Sequence, residues 1–157
     1  MILVQGIISG LFATIIFDLF QFSLNYAYDI DKSKWNLLGR YFLGYKDSKF
    51  IRKTLIDDEE LDNELLWGYF FHYLIGIIFG IVFVILNFLL FDYPSILLAY
   101  IFGFSTVLGS WCFLMPFAYN LGFFASKSNQ RTNLLVQNLI AHFVFGTGLF
   151  IGLYILN

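Results

Sequence analysis

The chain has 157 residues, the size of one domain. Of these, 59% are hydrophobic, 22% aromatic and 13% charged, against about 25% charged in an ordinary soluble domain, so the composition belongs to a membrane protein. The single cysteine, Cys112, excludes a disulfide framework and a Cys-based zinc site, and a net charge of −2 leaves no nucleic-acid footprint.

A spanning helix needs about 20 mostly apolar residues. Four runs qualify, at roughly 2–26, 65–91, 95–118 and 133–156. The run Ile75–Leu86 does not alternate in polarity, which excludes the strands of an outer-membrane barrel. The first run lacks the basic leader of a secretory signal, since no Lys or Arg precedes Lys32, and reads as an uncleaved helix. The expected fold is therefore all-α: an integral membrane four-helix bundle filling residues 1–157 as a single transmembrane domain.

The connection after the first span, about 28–64, is the one long loop. Its basic half holds the decamer Lys34–Leu43, in which Trp35, Leu38 and Phe42 mix with Lys34 and Arg40. That pattern suits a short helix at the membrane interface. The Arg40 guanidinium can reach lipid phosphates or the loop's own acidic half, Asp57–Glu64. Those carboxylates precede the second span, where they complement the positive end of the helix dipole. Their spacing lacks the alternation and central Gly of an EF-hand loop.

All nine basic residues fall in two loops: Lys32, Lys34, Arg40, Lys46, Lys49, Arg52 and Lys53 in the first, Lys127 and Arg131 in the third. The turn around Asp92–Pro94 and both termini have none. The positive-inside rule then makes the two basic loops cytoplasmic and puts both termini on the non-cytoplasmic side of the inner membrane.

Without a hydrophobic drive between helices in lipid, small residues mark the packing faces. The first span carries Gly6, Gly10, Thr14, Asp18, Gln21 and Asn25 at helical spacing. The second carries His72, Gly76, Gly80 and Asn87; the third Ala99, Gly103, Thr106 and Ser110; the fourth Asn138, Ala141, Gly148 and Gly152. Asp18, His72 and His142 are the groups inside the spans that ionise below pH 8, each about 10–14 Å from the cytoplasmic boundary at 1.5 Å per residue. With Gln21 and Asn138 they define an expected polar intramembrane layer. An intramembrane Asp is a functional candidate by default. Four chemistries suit the layer: a hydrogen-bonded clasp, a proton relay or polar-substrate site, a haem held axially by His72 and His142, or a metal with Asp18 as third ligand. The clasp is favoured, with no cofactor expected. Pro116, near the inner end of the third span, should end or kink the helix.

No Gly-x-Ser-x-Gly elbow or His-Glu-x-x-His occurs, and two His cannot build the boxes of a membrane desaturase. The expectation is a non-enzymatic component of the bilayer, packing with itself or within a larger complex. A small transporter or proton-coupled binding protein using Asp18, His72 and His142 is the alternative, and a haem, metal or pigment binder the third.

The motifs Gly10-Leu-Phe-Ala-Thr14 followed by Asp18, Leu38-Gly-Arg-Tyr41, His72-Tyr-Leu-Ile-Gly76, Gly122-Phe-Phe-Ala-Ser126 and His142–Leu149 extend along nearly the whole chain. Through them the sequence resembles a bacterial family of small four-helix membrane proteins known as the domain of unknown function numbered twenty-nine thirty-eight. The family's Met-Gln-Pro stands here as Met115-Pro-Phe117, and its Thr-Pro after Ala-Ser as Ser128-Asn129. The resemblance implies a membrane bundle and brings no activity.

Overall fold

The computed structural model describes residues 1–44 and 59–157. Lys46, Lys49, Arg52, Lys53, Asp57 and Asp58, on which part of the charge count and of the acidic half rests, lie outside the described residues. The described residues form five helices and no strand: α1 (Ile2–Tyr28), α2 (Trp35–Leu43), α3 (Glu64–Leu90), α4 (Ile96–Gly109, continuing as a π-helix over Ser110–Ala118) and α5 (Arg131–Leu156). Four of them, with the two segments of α4 taken together, are long and apolar enough to cross a membrane.

The described residues divide into two compact units. The first comprises 1–33, 73–106 and 139–157, the second 34–72 and 107–138.

In the first unit the helices approach through the small residues of their polar stripes. A side chain at Gly10 would strike the Gly76 carbonyl, and one at Gly80 would strike Gly6 and Gly10, so α1 and α3 meet backbone to backbone. A methyl at Gly148 would come within 2.6 Å of the Ala13 Cα, and one at Gly152 within 2.8 Å of the Ser9 Cα, which seats α5 on a neighbouring face of α1. Gly103 meets the His142 carbonyl and Gly146 in the same way, joining α4 to α5. Phe79, Phe83, Phe102 and Phe145 fill the space between α3, α4 and α5. Outside these faces, Ile8, Ile15, Leu19, Ile78, Val82 and Ile101 are exposed, as residues facing lipid would be.

Asn87 fixes the turn from α3 to α4. Fully buried, it donates from Nδ2 to the Tyr93 carbonyl (3.0 Å) and accepts the Ser95 N–H (2.9 Å). Ser95 in turn accepts the Leu98 N–H at the start of α4, an N-cap bond.

In the second unit α2 is held on two sides. Leu37 and Tyr41 join Ala118 in an apolar cluster with Phe113 and Phe117 of the π segment. On the other side a side chain at Gly39 would strike the Glu64 carbonyl, and one at Gly68 the Trp35 carbonyl. The expected interfacial helix thus exists, but Trp35, Leu37, Leu38, Gly39, Arg40 and Tyr41 are buried against protein. The same mixed pattern that suits a lipid surface also suits a groove between helices.

Pro116 does not end its helix. It has no N–H for Cys112, and its ring would crowd that carbonyl in an α-helix. The wider π turn over Ser110–Ala118 accommodates it, with the Tyr119 N–H donating to the Leu114 carbonyl.

Candidate functional site

The second unit holds a buried ion pair. Arg40 and Glu64 are 3% and 8% exposed. Arg40 Nε donates to Glu64 Oε2 at 2.6 Å and Nη2 to Oε1 at 2.7 Å, the bidentate form open to arginine and not to lysine. Asn36 Nδ2 adds a bond to Oε1 (3.1 Å) and the Leu61 N–H one to Oε2 (3.0 Å). Four donors therefore meet the roughly four lone pairs of one carboxylate. A buried charge is tolerated when it is paired and fully hydrogen-bonded, and this one meets both conditions. Glu64 is at once the first residue of α3 and the anchor of α2.

Beside it, Trp35 lies flat on His72, with ring centroids 3.8 Å apart and planes 18° apart. Phe42 stacks on Phe71 at 4.2 Å. The imidazole of His72 thus has one face covered by an indole.

The first unit holds Asp18, Gln21 and His142. Asp18 is 7% exposed on the buried face of α1. Gln21 Oε1 accepts the Ser33 N–H at 2.7 Å, tying the chain after α1 back onto that helix. His142 Nδ1 is 2.8 Å from Thr106 Oγ1. The same threonine oxygen lies 2.6 Å from the Gly103 carbonyl. Which of Thr106 and His142 donates follows from the tautomer of the ring. Phe17, next to Asp18, meets the His142 ring edge-on at 5.8 Å.

Asn138, half-buried on α5, has an Oδ1 with no partner among the described residues, as do Trp111 Nε1 and Tyr119 Oη. Burial pushes the Tyr119 phenol above its usual range. Among the described residues no group of three His, Cys, Asp or Glu is placed to hold a metal ion.

Arg40 meets the acidic half of the loop, one of the two partners open to it from the sequence. Glu64 as that partner, Thr106 as the partner of His142, and Gly39 with Gly68 as the crossing of α2 and α3 were not singled out in those roles. Gly68, inside the aromatic run Trp67–Phe71, was the available signal of close approach.

The fold and the site together define an all-helical protein with four potential spans, fastened by polar pairs between its helices. A family model matches residues 7–156, and the chain belongs to that family, described as "Protein of unknown function (DUF2938)". Comparison with curated proteins and with solved structures gave no match.

Proposed function

We propose that the protein is a non-enzymatic, multi-pass component of the inner membrane, a four-helix bundle whose polar residues act as clasps between helices, and that it works by packing with itself or within a larger complex. Both termini lie outside and the loop between α1 and α3 lies in the cytoplasm. The observation that carries the reading is the saturation of Glu64: four donors on one carboxylate leave it no lone pair for a substrate. The Thr106–His142 pair supports it, because Nδ1 is already engaged between α4 and α5.

The reading includes the expectation that Asp18, His72 and His142 share one layer, which rests on the depth count along the spans. Asp18→Ala and His142→Ala should each lower the melting temperature in detergent, and their double variant should lose less than the sum. Asp18→Asn, which keeps shape and hydrogen bonding, should melt like the parent. Additive losses would overturn the shared layer.

A second reading, proton-coupled handling of a polar substrate, is favoured by one observation: an aspartate buried mid-helix in a potential span. In proteoliposomes the clasp predicts that an imposed pH gradient decays at the same rate with the parent and with Asp18→Asn. A faster decay with the parent alone would overturn the clasp in favour of transport. Native mass spectrometry tests the assembly, and a monomer with no co-purifying partner would remove the association.

A further inference from the structure

The connection between the π segment and α5 is short and tied by backbone hydrogen bonds, Leu121 N–H to the Met115 carbonyl and Lys127 N–H to the Leu121 carbonyl. From Tyr119 to Arg131 it reads Tyr-Asn-Leu-Gly-Phe-Phe-Ala-Ser-Lys-Ser-Asn-Gln-Arg, with two cations and no carboxylate. No Asp or Glu occurs anywhere from Tyr93 to the end of the chain. Its backbone turns sharply: Gly122 has φ 73° and ψ 169°, a region open essentially to glycine, and Phe124 and Ala125 both have φ 52°. Two consecutive non-glycine residues in the left-handed region are costly, and the result is that Phe123 and Phe124 stand 55% and 37% exposed. Both rings are braced from behind, Phe123 by Phe117 and Phe124 by Trp111.

The cations are fixed beside these rings. Arg131 Nε donates to the Phe124 carbonyl at 3.0 Å, and Lys127 Nζ donates to Asn120 Oδ1 at 2.9 Å. Neither forms an ion pair among the described residues, and the one bond given for the guanidinium uses Nε. Exposed aromatics flanked by cations, on a turn joining two potential spans, match the amphipathic boundary of a bilayer in polarity and in charge.

We propose that the Tyr119–Arg131 turn is a binding site for an anionic phospholipid, with Phe123 and Phe124 entering the acyl-chain boundary and Lys127 and Arg131 taking the headgroup phosphodiester. The proposal rests on the reading of α4 and α5 as spans. Charge complementarity selects the lipid: a zwitterionic headgroup carries a compensating cation, and phosphatidylglycerol does not.

The test is native mass spectrometry of the full chain titrated with phosphatidylglycerol or phosphatidylcholine, alongside reconstitution into nanodiscs. A basic residue near an anionic surface contributes about fivefold in affinity, so with two of them the parent should prefer phosphatidylglycerol by about 25-fold. Lys127→Gln with Arg131→Gln should bring the preference to within about threefold, whereas Lys127→Arg with Arg131→Lys should keep it. Lys32→Gln, a cation outside the turn, should leave it unchanged, and Phe123→Ser should weaken both lipids alike. Inorganic phosphate should not compete. Equal affinity of the parent for the two lipids, an undiminished preference in the double Gln variant, or full competition by phosphate would overturn the site. Failure of the parent to enter nanodiscs would overturn the spanning reading, and this proposal with it; entry without preference would overturn the site alone.

Discussion

His142 and Arg40 each depend on one neighbour whose chemistry is specific. Thr106 bridges Gly103 and His142 through a single hydroxyl. Thr106→Val keeps the shape and removes that oxygen, leaving the ring Nδ1 of His142 without this bond, and should cost about 1–3 kcal/mol in denaturant unfolding. Thr106→Ser restores the oxygen and should recover most of the loss. An unchanged midpoint for the valine variant would show that His142 does not need the hydroxyl. For the ion pair, Arg40→Ala leaves a buried carboxylate without its cation and should cost about 3–5 kcal/mol. Arg40→Lys supplies charge without the two-pronged geometry and should fall between that variant and the parent. Lys127→Arg, on an exposed side chain, should stay within about 0.5 kcal/mol of the parent. Equal tolerance of Arg40→Lys and Lys127→Arg would reduce Arg40 to a generic cation.

At the scale of helices, the four long ones were legible because a run of about 20 apolar residues in lipid has few outcomes. Their packing faces were legible too. Gly6, Gly10, Thr14 and Asp18 of α1, Gly76 and Gly80 of α3, Ala99, Gly103 and Thr106 of α4, and Ala141, Gly148 and Gly152 of α5 are all buried. The placement of α2 was not legible, since an amphipathic decamer does not reveal whether protein or lipid covers its apolar side. The acidic half of the loop was legible as a partner open to Arg40, but Glu64 within it was not, because the two are 24 residues apart and only the fold joins them. Pro116 announced a disturbance, but whether a helix breaks, kinks or widens there depends on its surroundings. The glycines separate two uses of one residue type. Gly103→Ala puts a methyl 2.7 Å from the His142 carbonyl and should cost about 1–3 kcal/mol. Gly109→Ala meets nothing within 4 Å and should gain up to about 1 kcal/mol from helix propensity. Thermal unfolding of the two variants checks this, and equal shifts would mean that α4 and α5 do not meet at Gly103.

For the molecule as a whole, the decisive quantity is the distribution of charge. Every lysine and arginine lies between α1 and α3 or between α4 and the first residue of α5, Arg131, and the turn between α3 and α4 offers only Asp92. The internal pairing of Arg40 with Glu64 does not weaken the inference, because orientation responds to the number of basic residues near span ends rather than to net charge. Removing Arg40 from the count still leaves eight against none. We therefore expect a reporter active only in the periplasm to work when fused after Asn157, and one active only in the cytoplasm to work when inserted near Ser48. A third fusion at Tyr93, in the turn between α3 and α4, should behave like that at Asn157, since both follow an even number of crossings. The Tyr93 arm also tests the spans themselves. If Tyr93 and Asn157 both read cytoplasmic along with Ser48, α3 does not cross and the four-span reading fails. If all three fusions reverse together, the spans stand and the orientation is inverted, which would move the Tyr119–Arg131 turn to the opposite leaflet.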